Sequence, residues 1–364
     1  MDLIDIRSDT LSRPSPGMMA AIYNSDVGDD CFGEDKTVCE LEERCADAFG
    51  KECGIMFPTG TMSNQVALRV LVDPGNEVLC DDSYHINFFE ASPTSGLSGI
   101  SLNSIYSIDG ILTPALLDRA ITRRARWTST YAVPKTVWLE NTINGRGGRP
   151  VQLNQIRSVA RWAEQRAIPV YMDGARIMNA CVSTKTDPAE YGAEVSALSL
   201  CFAKGLGAPM GSVLVGDAGL ITEARRFRKW YGGAMHQSGI IAAAGLYALE
   251  NNVDRLADDH QNALEFFSIM SQVEDIEIDR PETNVVIFDI KKFTITPKEF
   301  IARAEDTGVK LLAWRQTEIR AVFCLNNTKK DAIEAGQRLA GLLSQLSVIK
   351  ADTQSRVNRA SVVQ

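Results

Sequence analysis

The sequence predicts an α/β protein with a mostly parallel sheet and helices on both faces. Three observations predict it. Short apolar runs alternate with helical periodicity, strand–helix–strand, between residue 50 and residue 216, the order that parallel strands with crossover helices require. The 364 residues are 45% hydrophobic and 23% charged, enough apolar matter for one large core and a smaller one. Finally, Ser199–Gly216, SLCFAKGLGAPMGSVLVG, sets a single lysine between two apolar runs, as a turn between buried strands does.

In order, residues 1–35 read as an extended N-terminal arm, with Pro14 and Pro16 permitting a short helix near Gly17. TVCELEERCADAFG, 37–50, is helical: apolar positions fall at 38, 41, 45 and 48 or 49, and Gly50 closes it. ECGIMFPTGTMSNQVALRVLV runs strand, turn, helix, with Thr59 and Thr61 around Gly60 at the helix start. A helix N-terminus offers free N–H groups and a favourable dipole to an anion. EVLCDDS, 101–106 and KTVWLENT read as strands, the region near 113–126 as a helix, and INGRGGRP as a loop. The helix 153–167 has apolar positions 156, 159, 162 and 163, and a short strand then ends at Asp173.

The helix GIIAAAGLYALE ends in two asparagines near 250, which places a boundary there. The division expected is an arm at 1–35, a large domain at 36–250, a small α/β domain at 251–349 and a loose polar tail at 350–364. Within the small domain the pattern is helix 254–272, strand 284–290, helix 297–308, strands 309–314 and 318–324, and helix 328–347.

Composition excludes several classes of function. A net charge of −8 and a pI of about 5.1 disfavour a phosphate-backbone partner, so no nucleic acid is expected. No apolar run nears the ~18 residues of a membrane span. The start, MDLIDIRSDT, has no apolar stretch of a secretory signal. Eight cysteines, at 31, 39, 45, 53, 80, 181, 201 and 324, show no CxxC spacing; they read as reduced thiols of a cytoplasmic protein. The three histidines, His85, His236 and His260, are too dispersed in sequence for a zinc motif, and no metal is expected.

The chemistry lies in the pairing of Asp173 with Lys204. Thirty-one positions (204 − 173) leave room for a crossover between neighbouring strands, so both residues end up at strand ends. Pyridoxal phosphate demands this pair: a carboxylate keeps its ring nitrogen protonated, and a lysine amine carries its aldehyde. Burial lowers a lysine's pKa and favours the nucleophilic amine. A lysine on a solvated turn is the plainer reading of that stretch taken alone.

Eight blocks in order, IDIRSDTLSRPSPGM, VGDDCFGED, FPTGTMSN, YHINFFEA, LENTINGRGG, MDGARIMNA, AKGLGAPMGSVLVG and RKWYGGAMHQSGI, together resemble the threonine aldolase family of fold-type-I pyridoxal phosphate enzymes. The resemblance is dense over residues 4–250 and looser beyond. It implies the fold-type-I, transferase-like architecture, with a seven-stranded-type sheet in the large domain, and pyridoxal 5′-phosphate as cofactor. It also implies a phosphate cup at Gly60 and Thr61, His85 stacked on the pyridine ring, Asp173 at the ring nitrogen, Arg176 near the phenolic oxygen or phosphate, and Lys204 as the cofactor's lysine. Ser8 and Arg320 match positions that bind the substrate carboxylate, and a guanidinium fork suits that partner. Taken without the resemblance, Ser8 reads as a turn or cap residue and Arg320 as an edge-strand arginine.

Three positions depart from the family's pattern. Ile143 stands where many members have a histidine that can reach the substrate hydroxyl. Ala203 precedes the lysine where a serine is usual, and His236 replaces an arginine that commonly reaches a neighbouring subunit's phosphate, while Lys229 is kept. The resemblance thus implies a homodimer or homotetramer with shared active sites, acting on a small amino acid.

One such cofactor site permits carbon–carbon cleavage, racemisation or transamination, so the groups near Cβ decide. Retro-aldol cleavage of L-threonine or L-allo-threonine to glycine and acetaldehyde is the expected reaction, with His85 or an ordered water taking the hydroxyl proton. Alanine racemisation, known in this family from fungal peptide biosynthesis, is the alternative, and Ile143 would suit a substrate lacking the hydroxyl. A non-catalytic relic is a third reading, opposed by the presence of Lys204, Asp173, Arg176 and the PTGT cup.

Overall fold

The structure, a computed structural model, describes residues 3–122 and 130–360, with only the backbone described over 347–360. It divides into two compact units: Ser12–Asp254, and Met1–Leu11 with Arg255–Gln364. The arm expected at 1–35 is therefore shared. Its first strand, β1 (Ile4–Asp5), belongs to the second unit, and α1 (Pro16–Tyr23) to the first.

The first unit continues with α2 (Lys36–Ala48), β2 (Cys53–Phe57), α3 (Gly60–Leu71), β3 (Glu77–Asp81), α4 (Pro93–Gly96), β4 (Ser101–Ile105) and α5 (Pro114–Thr122). Positions 123–126 of the helix expected near 113–126 lie outside the described residues. There follow β5 (Pro134–Glu140), α6 (Leu153–Glu164), β6 (Val170–Gly174), α7 (Ile177–Thr184), α8 (Pro188–Ala193), β7 (Ala197–Cys201), β8 (Ser212–Gly216), α9 (Ala218–Trp230) and α10 (Gly239–Asn251).

Local sequence accounts for these elements. Asp35 caps α2 by accepting from the Val38 N–H, and Gly50 leaves the helix at a φ of +61°, a conformation that favours glycine. In α6 the expected stripe, Ile156, Val159, Trp162 and Ala163, is the buried one. Strands β6, β7 and β8 are buried at every residue, as a sheet covered on both faces requires.

The seven strands of this unit lie in the order β2-β8-β7-β6-β5-β3-β4. All neighbours pair parallel except β8, which runs antiparallel to both β7 and β2. The reversal of β8 lets the short turn 202–211 join it directly to β7, with no crossover helix between them.

The second unit adds α11 (Leu256–Met270), β9 (Glu277–Ile278), β10 (Val285–Asp289), α12 (Pro297–Asp306), β11 (Val309–Lys310), β12 (Leu312–Ala313), β13 (Glu318–Val322) and α13 (Lys329–Ala360). Strands β12-β13-β10-β9 form an antiparallel sheet, while β1 pairs parallel with β11. The single strand expected over 309–314 is thus two, because its halves pair with different partners on either side of buried Leu311. Ile4 and Ile6 join Phe266, Phe288, Phe300, Phe323 and Leu339 in this unit's core. The backbone of α13 remains helical to Ala360, through most of the tail expected to be loose, and residues 361–364 lie outside the described residues.

Candidate active site

Parallel strands carry their C-terminal ends to one edge of the sheet, where ligands of open α/β folds bind. Here those ends bring together residues from five motifs. Asp173, near the end of β6, is 3% exposed. Its Oδ2 accepts from Asn64 Nδ2 at 2.8 Å and its Oδ1 from the Ala175 N–H at 3.0 Å. Both donors are neutral amides, so the carboxylate's charge is available to a cation.

Asn64, one turn into α3, is the hub of a buried network. Its amide nitrogen also donates to Glu90 Oε1 at 2.8 Å, and its oxygen accepts from the Tyr171 hydroxyl at 2.8 Å and from Ser199 at 3.3 Å. Glu90 in turn lies 3.0 Å from His85 Nδ1 and accepts from Gln65 at 2.7 Å. One ligand atom each of His85, Glu90 and Asp173 lies within 4.8 Å of the others. Burial lowers the His85 pKa, but the Glu90 bond and the charges of Asp173 and Glu140 overcome this and hold it above its ordinary value. The Phe89 ring stacks beside the imidazole, with 5.3 Å between centroids.

Glu140, at the end of β5, clamps two loops. Its carboxylate accepts from the His85 N–H at 2.6 Å and from the Asn144 N–H at 2.8 Å. Burial, followed by the charge of Asp173, pushes its pKa up to about 7 against those two bonds. Asn144 also accepts from Arg176 Nη1 at 3.3 Å, and Arg176 is itself buried. Asp173, Arg176 and His85 are therefore joined through Asn64, Glu90, Glu140 and Asn144.

Lys204 lies on the turn between β7 and β8, half-buried rather than enclosed. The strands around it are fully buried, but the turn itself reaches toward solvent. Gly207 N–H closes on the Lys204 carbonyl at 2.8 Å, and Phe202 N–H on Gly211 O at 3.0 Å. Gly211 N–H then donates to Pro58 O at 3.1 Å, tying the lysine turn to the start of α3. There Thr59 caps the helix by accepting from Met62 N–H at 3.2 Å. The first N–H groups of α3, Gly60 and Thr61, have no acceptor within the helix and suit a phosphate. At Gly60 an added Cβ would come no closer than 3.8 Å to Cys201 Sγ, so the cup has room.

Ile143 is fully buried, and its side chain packs against Gly110, whose added Cβ would lie 3.0 Å from Ile143 Cγ2. Lys229, in the last turn of α9, and His236 are both exposed, and His236 Nδ1 bonds Asp29 Oδ2 at 2.9 Å. In the second unit, Arg320 on β13 is 5% exposed. It lies over the Trp314 ring at 4.2 Å and donates to the Arg7 carbonyl at 3.4 Å, the peptide that leads into Ser8. Ser8 accepts from the Thr10 hydroxyl at 2.8 Å, the turn role that its sequence alone suggested.

Asn64, Glu90, Glu140 and Asn144 received no role from the sequence. Each lies inside a quoted block, PTGTMSN, YHINFFEA or LENTING, and each is buried. A polar residue beside an apolar run is the only signal for them in a single sequence.

The β-eliminating lyase family profile matches residues 5–292. A probable low-specificity L-threonine aldolase 2 of Arabidopsis thaliana is 35% identical over 88% of this chain and 91% of its own. The alanine racemase TOXG of Cochliobolus carbonum is 32% identical over 91% of this chain and 88% of its own. Among solved structures, the threonine aldolase of Leishmania major superposes with a TM-score of 0.81 at 16% identity, over 93% of this chain and 99% of that one. At that identity the superposition speaks for the fold alone.

Proposed function

Because the chain belongs to the β-eliminating lyase family and, within it, to the threonine aldolases, we propose a reading of how its own residues carry out that family's reaction. The protein is a pyridoxal 5′-phosphate-dependent lyase that cleaves a β-hydroxy-α-amino acid, L-threonine or L-allo-threonine, to glycine and acetaldehyde. The observation that carries the assignment of roles is Asp173, buried with only neutral amide donors, at a strand end beside the turn that bears Lys204.

This donor set fits the cofactor. Asp173 would hold the proton on the ring nitrogen, Lys204 would supply the amine for its aldehyde, Gly60 and Thr61 would bind its phosphate, and Arg176 would neutralise the phenolic oxygen or the phosphate. When bound, pyridoxal phosphate supplies the electron sink that accepts the pair released when a bond to Cα breaks. With Nδ1 held by Glu90, His85 would lie against the cofactor's ring and present Nε2 to the substrate hydroxyl. His85 would accept that hydroxyl proton as the substrate's Cα–Cβ bond breaks. Glu140 holds the His85 and Asn144 loops in register for this step. Ser8 and Arg320 bind the substrate carboxylate.

Alanine racemisation is the second reading, favoured by one observation. Ile143 is buried against Gly110 and brings no polar group to the hydroxyl. We place the protein in a homodimer or homotetramer in which Lys229 and His236 serve a neighbouring site. Exposed apolar side chains support this, Tyr23 at 89%, Phe32 at 78% and Trp230 at 61%. Among the described residues no helix is long and apolar enough to cross a membrane. The eight cysteines, all free, suit a reducing compartment such as the cytoplasm.

Purified holoenzyme given L-threonine, L-allo-threonine and L-alanine separately decides between the two activities. Acetaldehyde and glycine from a threonine isomer are the expected products. D-alanine from L-alanine, with no acetaldehyde from either isomer, would overturn the assignment in favour of the racemase.

A further inference from the structure

Ser8 and Arg320 both belong to the second unit, and the register of its sheet decides how Arg320 is held. Side chains alternate between the faces of a strand. On β13, Ile319 and Ala321 enter this unit's core, so Arg320 stands on the opposite face. Its ladder partners are Ile287 on β10 and Leu312 on β12. Both are apolar; they can pack the methylene stem of an arginine but cannot orient its charged head. Orientation comes from the turn that joins β12 to β13. The ladder pairs Leu312 with Arg320 and Ala313 with Ile319, and the Trp314 N–H continues it by donating to the Glu318 carbonyl at 2.8 Å. Trp314 is therefore diagonal to Arg320 on the same face, within reach of a long side chain. The guanidinium carbon of Arg320 lies over the indole, 4.2 Å from the ring centroid.

We infer that Trp314 is a positioning residue for the substrate carboxylate: its ring fixes the plane of the Arg320 guanidinium and so the edge that the guanidinium presents. The inference rests on the carboxylate role proposed above for Arg320. Indole is the aromatic face that attracts a cation best, and a planar guanidinium stacks on it. A second contact sets the tip, where Arg320 Nη2 donates to the Arg7 carbonyl at 3.4 Å. That peptide is itself tied down. The Val322 N–H donates to the Ile6 carbonyl at 2.8 Å, and Asn327 Nδ2 to the Asp5 carbonyl at 3.2 Å, so the chain leading into Ser8 is fixed to the end of β13. A two-point pair with a carboxylate needs both N–H groups in the carboxylate's plane. A fork that could turn about its stem would meet that condition only part of the time. Trp314 removes the freedom before the ligand arrives, which lowers the cost of binding. Its effect falls on ligands that carry a carboxylate and spares those that lack one.

The test titrates holoenzyme with glycine and, separately, with ethanolamine, the same skeleton without the carboxylate. The readout is the shift of the bound cofactor's visible band, so the result does not depend on which reaction the enzyme performs. Trp314→Leu should weaken glycine binding by about fivefold to thirtyfold, the range of a desolvated cation–π contact, and leave ethanolamine binding within about twofold of the parent. Trp314→Phe keeps an aromatic face and should recover most of the loss. In turnover, Trp314→Leu should raise KM and change kcat far less. Arg320→Met tests the premise separately: it should weaken glycine by about a hundredfold and spare ethanolamine. Glycine affinity unmoved by Arg320→Met would overturn the carboxylate reading itself. Two outcomes would overturn the role of Trp314 alone. One is glycine affinity lost in Arg320→Met but kept in Trp314→Leu. The other is equal weakening of glycine and ethanolamine by Trp314→Leu, the mark of a merely structural part.

Discussion

At the scale of single residues, the roles of Asp173 and Lys204 separate. In the function proposed above Lys204 is the anchor and Asp173 the partner of the electron sink, so their loss should have different signatures. Lys204→Ala should abolish both turnover and the visible absorbance of the bound cofactor. Asp173→Ala should retain most of the cofactor yet lower turnover by about 10²–10⁴-fold, the scale of a lost proton-holding group. Cofactor content against kcat checks this, and full activity in Lys204→Ala would refute the site. His85 invites a pH experiment. Glu90, Asp173 and Glu140 raise its pKa, and the neutral ring is the form that takes a proton. Activity should therefore rise with pH through that pKa, and Glu90→Gln should move the rise to lower pH. The linked stability has the opposite sense: it is fully present below the unfolded value of about 6.5 and is lost as pH rises through the folded value. A pH–rate profile unmoved by Glu90→Gln would remove the pair from the mechanism.

At the scale of elements, two loops that present the site touch through a glycine. A Cβ on Gly145 would lie 2.2 Å from the backbone oxygen of Ser83, two residues before His85. Gly145→Ala should push those loops apart, lowering both melting temperature and turnover. Gly341 on α13 has open space around it, and Gly341→Ala should stabilise by up to about 1 kcal/mol. Equal melting temperatures for the two variants would contradict the contact. These elements also show what a sequence discloses. Periodicity places α2, α6 and the buried strands because 3.6- and 2-residue patterns are local properties. Lys204 and Asp173 are legible because strand ends can be counted along the chain. The Asn64–Glu90–Glu140 network is not, since a buried amide and a buried carboxylate leave no periodic trace and meet only through tertiary packing. The division of 309–314 into two strands was hidden for the same reason: the partner of β11 is β1, about 300 residues away.

At the scale of the whole molecule, apolar side chains such as Tyr23 and Phe32 stand in water on a single chain, and association would cover them. Sedimentation at assay concentration should show at least a dimer; a fully active monomer would refute shared sites. The one reversed strand of the large sheet has a consequence for how the chain reaches its native state. Because β8 pairs with β2, residues 53–57 have no neighbour in the sheet until residues 212–216 exist. During synthesis the edge that leads into Gly60 therefore waits while some 150 residues are added, and contacts of such long range form late. A nascent or shortened chain ending before Ser212 can form its central parallel strands but cannot seat the start of α3, the phosphate cup proposed above. Cofactor capture thus reports that the large unit has closed, and the edge strand, idle until then, is the segment most open to wrong pairing and to proteases.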